Sequence, residues 1–437
     1  MLERRLPERA AGSGHAAAVP GFRAAWVRAE VILRWAAVLL GCSIPVSVAL
    51  DNVLLGVILF FWLAGGLYER KLESIRGNPV AWMALALFAL FVAGSLYSIG
   101  SPKDVLDALI RALRLLLIPA LIYLLRDPEW RERGITAFLA SMVLTLVLSY
   151  LMWLGVLSGN ALLKGTHLDP AVFKAHTTHN VFMAFAAFLL AQGARDAKTL
   201  RGRIVRGVLC VAAVANVLLM VPGRTGIIVL VVLFVYGLVR AQKTRGLLLA
   251  GVVLAALAAM VLASPDSMLH RRITLADEEF AQWRAGVPPD PTSSVGLRLE
   301  FLQTTLEIIG ANPLLGVGTG GFGKAYADRV DGTGAPATQN PHNEILLMIV
   351  QFGVAGFVLL AGLFVTQWRL APRLPGPYDQ AAARALVLTI AVTSLLSSTL
   401  LDHAEGLFFV FMSGLLFAGY RAPSAPPLAH PSGQRAR

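Results

Sequence analysis

Asn340-Pro341-His342-Asn343-Glu344-Ile345-Leu346-Leu347 is where a long polar segment gives way to an apolar run reaching about residue 366. Pro341 suits the first position of a helix and Asn340 its cap, so the stretch predicts a membrane helix beginning near 342, with His342 in its first turn. The positive end of the helix dipole disfavours an imidazolium there. A histidine kept neutral at a membrane surface is a competent general base; the bland reading is a residue that only caps or packs.

The apolar character of that run fills the chain. Of 437 residues, 56% are hydrophobic and 15% charged, with mean hydropathy +0.67. Apolar runs separated by short basic loops predict an all-α polytopic membrane protein. About twelve transmembrane helices are expected, near 31–50, 52–68, 80–99, 104–125, 135–157, 179–194, 205–221, 225–240, 246–263, 342–366, 383–401 and 404–420. The expected organisation is a basic cytoplasmic tail at 1–30, transmembrane helices 1–9 at 31–263 and a long outer loop with short amphipathic helices at 264–341. Transmembrane helices 10–12 follow at 342–420, and a cytoplasmic tail at 421–437. No soluble domain of ordinary size and no internal repeat is visible. The Arg- and Ala-rich start lacks the apolar core of a cleavable signal peptide. Cys42 and Cys210 fall inside apolar runs and read as small core residues.

Charge orients this bundle. With the N-terminus inside, five short inner loops hold three, three, five, three and three basic residues. The short outer loops hold only Lys103, Lys164, Lys174 and Arg224. This is a positive-inside pattern, and it accounts for most of the net charge of +12. Basic residues scattered over separate loops exclude a nucleic-acid surface.

Four features of the outer side carry chemistry. In 297–309, LRLEFLQTTLEII, helical spacing gathers Glu300, Gln303, Thr304 and Glu307 on one face, while Arg298 falls within the apolar face beside Phe301. An arginine there needs an anion, unless it snorkels from the helix end. Arg224, in Val221-Pro222-Gly223-Arg224-Thr225-Gly226, runs against the charge bias. Two guanidinium forks suit a pyrophosphate. Asn312-Pro313-Leu314-Leu315-Gly316-Val317-Gly318-Thr319-Gly320-Gly321-Phe322-Gly323 permits sharp turns and close backbone approach to an oxyanion, but is no Walker loop. Asp104, Asp107, Arg111 and Arg114 share a face of the fourth span; they form an internal ion pair, Asp107 with Arg111, or line a ligand cavity.

Other polar residues complete the candidates. His176 and His179 have metal-like spacing but no further ligands, and no acidic motif demands a metal. Asp402, His403 and Glu405 precede the last span and are candidates to orient His342 or to bind an acceptor. A transporter would call for midplane charges and repeated halves, which are not visible.

The layout, the Gly-Arg-Thr-Gly turn, the glycine-rich stretch and Pro-His-Asn-Glu-Ile-Leu resemble the O-antigen ligase and polymerase superfamily, and most nearly its lipopolysaccharide O-antigen ligases. The recognisable motifs cover about 220–350. The resemblance implies an inverting, metal-independent glycosyltransferase of the bacterial inner membrane, needing no cofactor. It implies transfer of an undecaprenyl-pyrophosphate-linked O-antigen to lipid A–core at the periplasmic face, which makes 264–341 a periplasmic loop. The family's essential histidine maps onto His342, and its two arginines onto Arg224 and Arg298. Arg111, Arg114, Asn343, Asp402 and Gly318 join them as candidate site residues. Polymerases and protein O-oligosaccharyltransferases share the pattern, so the acceptor stays open.

Overall fold

A computed structural model describes residues 20–66, 68–262, 268–285, 294–332, 336–400 and 402–421, and every regular element among them is a helix. Most of the two expected tails therefore lies outside the described residues, as do Asp266 and Asp290 of the long loop. The first half contains α1 (Pro20–Ser43), α2 (Val48–Ala64), α3 (Tyr68–Arg76), α4 (Pro79–Ser95), α5 (Pro102–Ala112), α6 (Leu117–Leu124) and α7 (Pro128–Trp153). Next come α8 (His176–Arg195), α9 (Leu200–Ala215), α10 (Arg224–Gln242) and α11 (Thr244–Leu262). The long loop contributes α12 (Met268–Arg284), α13 (Ser294–Ala311) and α14 (Phe322–Val330), before α15 (Glu344–Leu370), α16 (Pro377–Leu396) and α17 (His403–Phe417).

Local chemistry starts these helices. The side chains of Ser47, Asn78, Ser101, Thr199 and Asn343 each accept a hydrogen bond from a first-turn N–H. Prolines occupy the first turn of α4, α5, α7 and α16, where their missing N–H costs nothing. Each of the twelve expected spans contains a helix. By length and apolarity alone, five helices among the described residues are able to cross a membrane, or six if α2 and α3 count as one bent span.

Two elements depart from the sequence reading. The fourth span is broken: α5 and α6 are joined by a 3₁₀ turn, Leu113–Leu116. Pro119 lacks the N–H that Leu115's carbonyl would need for a continuous helix. The tenth span begins two residues later than expected, at Glu344, with Asn343 and not Asn340 as its cap. His342 lies outside the helix in a left-handed conformation, φ 54°.

α15 is itself interrupted at Gly353 (φ 60°, ψ −146°), which frees carbonyls of the preceding turn. The glycine-rich segment takes them: the N–H of Val317 donates to Val350 (2.8 Å) and that of Gly318 to Gln351 (2.9 Å). Gly353 is required twice over, by its positive φ and because a Cβ there would lie 2.1 Å from the Leu314 carbonyl oxygen.

α17 is the centre of the bundle. Every residue from Ala404 to Phe417 is buried. Phe408 meets Phe138, Phe182 and Phe185 at centroid distances of 5.5, 4.7 and 5.2 Å, joining α17 to α7 and α8. Around it α8 packs on α9 and α10, α1 on α2 and α7, and α4 and α16 on α15. Cavities open at both ends of α17: one is lined by His403 and Gly406, the other by Gly419 and Arg421.

Gly353→Ala should therefore lower the thermal midpoint of the purified protein, since left-handed strain alone costs about 1–3 kcal/mol and the displaced loop adds to it. Gly207→Ala, with nothing within 4 Å of the new methyl group, should leave the midpoint where it is. Equal midpoints for the two variants would refute the account of the break.

Candidate functional site

His342 is held by its neighbours in sequence and by the loop between α16 and α17. Its N–H donates to Asn340 Oδ1 (2.8 Å), which also accepts from the Ser398 hydroxyl (2.6 Å). Asn343 Oδ1 caps α15 through Leu346 N–H (3.0 Å), and its amide donates to the Leu395 carbonyl (3.2 Å). Glu344, 1% exposed, accepts from Leu400 N–H at 2.8 Å. These bonds across 395–400 bring Asp402 into the electrostatic reach of His342.

The other side of His342 is supplied by α13. Its ring stacks on Phe301 (centroids 5.9 Å apart, planes at 17°). Arg298 is three residues earlier, hence on the same helical face. Partial burial first, and then the Arg298 charge, hold the imidazole below its ordinary pKa, while Asp402 pulls the other way. Burial raises the pKa of Asp402, opposed by the Ser397 hydroxyl and by His342.

Arg224 begins α10 and is brought to Arg298 by a buried polar network. Asn180 of α8 donates to the Val221 carbonyl (3.0 Å). Gly226 fits against Asn180 so closely that a Cβ would come within 2.3 Å of it. His179 Nε2 contacts Asn216 Oδ1 (2.9 Å), and Asn216 donates to Ser149 (2.8 Å). His176 instead faces Asp169 at 3.4 Å; the two histidines have different partners and do not form a shared metal pair. Desolvation, and then the neighbouring positive charge of Arg224, lower the pKa of Arg298. Neither arginine makes an ion pair with the described residues, so the repulsion between them is left for an anion to relieve.

Beside this group lies a cavity of about 700 Å³. Lys103, Asp104, Asp107, Arg111 and Arg114 line one side, Gly320, Gln339 and Glu344 another, and Asp402 and His403 a third. His342, Arg224 and Arg298 are not in its lining. The Asp107–Arg111 ion pair allowed by the sequence does not form among the described residues. Asp104 bonds Ser101 (2.6 Å), and Arg114, 8% exposed, donates to the Asp402 carbonyl (3.0 Å). Arg111 and Asp107 are thereby free to face the cavity.

Below His403 the charges are internal. Asp51, fully buried, has His403 Nε2 and Lys174 Nζ each at 3.6 Å. Thr178 donates to Glu405 at 2.5 Å. Lys174, read from sequence as an outer-loop charge, is thus a buried partner of Asp51. Gly318 also has a structural post: its N–H is given to Gln351, and a Cβ would lie 2.4 Å from Ser98 Cα. The N–H groups of Val317, Gly318, Thr319 and Gly320 all go to protein acceptors, so the glycine-rich stretch packs and does not present an oxyanion cradle. Sequence reasoning missed Ser398 and Glu344 as supports of His342. Phe301 was legible as an apolar neighbour of Arg298 but not as a platform for the ring.

Residues 208–361 match the family model described as O-antigen ligase. This region is thus similar to the O-antigen ligase family, over about a third of the chain. It contains Arg224, Arg298, Gly318, His342 and Asn343, whereas Arg111, Arg114 and Asp402 lie outside it. No curated protein matches the chain.

The electrostatic link makes a prediction independent of activity. Arg298→Ala should raise the pKa of His342 toward its ordinary value, and Asp402→Asn should lower it further. The pH dependence of diethylpyrocarbonate modification at His342, read by mass spectrometry, measures both. An unchanged or lowered pKa in Arg298→Ala would break the link.

Proposed function

We propose that this protein is an O-antigen ligase, an inverting and metal-independent glycosyltransferase. It moves the O-antigen polysaccharide from undecaprenyl pyrophosphate to lipid A–core in lipopolysaccharide biosynthesis, at the periplasmic face of the bacterial inner membrane. The observation that carries this reading is the meeting of Arg224, Arg298 and His342, from three separated segments, within the region that matches the ligase family.

The His342 imidazole takes the proton of an acceptor sugar hydroxyl, and that oxygen attacks the anomeric carbon of the donor. The bond from the anomeric carbon to the pyrophosphate oxygen breaks on the opposite face, so configuration inverts. Its electron pair leaves with undecaprenyl pyrophosphate, whose growing charge is met by the forks of Arg224 and Arg298. The imidazolium then returns its proton to water. Arg298 has a second effect: by lowering the pKa of His342 it keeps the base neutral to lower pH. Positive charge comes from guanidinium groups throughout, and no metal or other cofactor is invoked.

The acceptor separates this reading from a polymerase or a protein O-oligosaccharyltransferase. The neighbouring cavity carries both signs of charge, Lys103, Arg111 and Arg114 against Asp104, Asp107, Glu344 and Asp402, so it suits a polar acceptor and the choice among these acceptors rests on the product formed. The chain crosses the membrane about twelve times with both termini in the cytoplasm, and 264–341 is periplasmic. The one-sided distribution of basic loops supports this, and a C-terminal reporter active only in the periplasm should stay silent.

Reconstitution with a lipid-linked glycan and lipid A–core, assayed by gel shift, tests the chemistry. His342→Gln should lose about 10²–10⁴-fold in rate, the usual share of a general base. Arg224→Ala and Arg298→Ala should each abolish transfer while the protein stays folded, and lysine should rescue only partly because it lacks the fork. Activity should survive EDTA. Polymer formed without lipid A–core would overturn the ligase reading in favour of a polymerase, and wild-type turnover by His342→Gln would remove the base.

A further inference from the structure

At the end of α17 away from His403, a second cavity of about 770 Å³ opens against α7, α8 and α16. Arg126, Arg131, Arg206, Arg373 and Arg421 line it. Two of these are engaged. Arg126 pairs with Glu30 (2.7 Å), and Arg131 donates to the Arg126 carbonyl (2.8 Å) and is drawn to Asp379. The other three come from α9, the turn after α15 and the residues after α17. They are exposed and make no ion pair with the described residues. Arg206 reaches only the Gly193 carbonyl, at 3.5 Å. Glu132 and Asp196 also line the cavity, so its charge balance is modestly positive.

A positive-inside bias explains why arginines lie at this end. It does not explain why three unpaired guanidinium groups, from segments far apart in sequence, share one cavity. Nor does it explain the apolar wall that Ile135, Leu139, Leu189 and Leu190 add to it. Unpaired forks call for an oxyanion, and an aliphatic wall beside them calls for a hydrocarbon chain on the same molecule. Basic pockets between membrane helices bind lipid head groups on this physical ground.

We propose that this cavity binds an anionic phospholipid. Arg206 and Arg373 hold the phosphodiester oxygens, and an acyl chain lies along Ile135 and Leu139. The site is separate from His342 and its arginines and does not depend on the reaction assigned to them. A bound lipid would tie together the ends of α7, α8 and α16 and the chain after α17.

The test uses the full chain purified in a neutral detergent and native mass spectrometry. Phosphatidylglycerol and phosphatidylcholine of identical acyl chains are titrated in turn. Phosphatidylglycerol adducts should survive activation that strips phosphatidylcholine. Each arginine near a lipid head group accounts for about 5-fold in binding, so Arg206→Ala/Arg373→Ala should weaken phosphatidylglycerol by about 25-fold and leave phosphatidylcholine unchanged. Arg206→Gln/Arg373→Gln keeps the side-chain bulk and should behave alike, which covers a misfolded alanine pair. Equal retention of the two lipids by the wild type, or undiminished phosphatidylglycerol binding by the glutamine pair, would overturn the proposal. Displacement of the lipid by millimolar inorganic phosphate would also overturn it, by making this a site for a soluble anion.

Discussion

The seating of the glycine-rich loop on the broken turn of α15 is the constraint on which the candidate site depends. The Val317 and Gly318 N–H groups occupy the carbonyls of Val350 and Gln351. Gly320 N–H takes the Gln351 side chain at 2.7 Å. The same few residues are tied to the end of α4: Thr319 donates to the Gly94 and Phe91 carbonyls, and Ser98 to the Thr319 carbonyl. Each such bond contributes only about 1 kcal/mol net, but the alternative is a set of buried polar groups without partners. One segment therefore fixes α4, α5, α15 and the loop helices relative to one another. Arg298 and Phe301 reach His342, and Arg111 faces the cavity, because of that seating.

His342 is held in a strained backbone conformation for a geometric reason. A residue in the first turn of α15 would follow the helix direction. The left-handed φ of His342 turns its ring instead onto Phe301 of α13. Such a conformation costs of order 1 kcal/mol or more for a non-glycine residue. Asn340, Asn343 and Glu344, each bonded into 395–400, offset that cost. The result is an imidazole between the Asp402 carboxylate and the Arg298 guanidinium. Its protonation is opposed by burial and by Arg298 and favoured by Asp402, with the net effect a lowered pKa.

The sequence made the helical class legible because apolar runs need no knowledge of partners. It also made Arg298 legible, because a charge on an apolar helix face is a local contradiction. The start of α15 was not legible. Asn340-Pro341 and Asn343 are both acceptable caps by local rules, and the choice between them rests on Leu395, Ser398 and Leu400, more than fifty residues away. For Asp107 and Arg111 the sequence left an ion pair and a cavity lining both open, and the structure shows the lining. Helical spacing within α5 allows the bond, whereas the cavity that takes both side chains is built by segments distant in sequence. The glycine-rich stretch looked like an anion cradle because freed N–H groups are visible in sequence, whereas the carbonyls that consume them arise only from a break in another helix.

The two cavities have a common origin in the length of α17. At 15 residues it is about 22 Å long, while its neighbour α7, of 26 residues, reaches about 39 Å. A helix facing lipid would be too short to span about 30 Å of hydrocarbon. α17 escapes that requirement because it is buried on all sides, and its polar ends never meet hydrocarbon. A short post packed on α6 and beside the longer α7 and α16 leaves a recess at each end. Asp402 and His403 form part of the recess near His342, and Gly419 and Arg421 part of the opposite one. Lengthening α17 by one turn would fill either recess with backbone. The aromatic packing of Phe408 against α7 and α8 fixes its height, and the loops that line each recess close over its two ends.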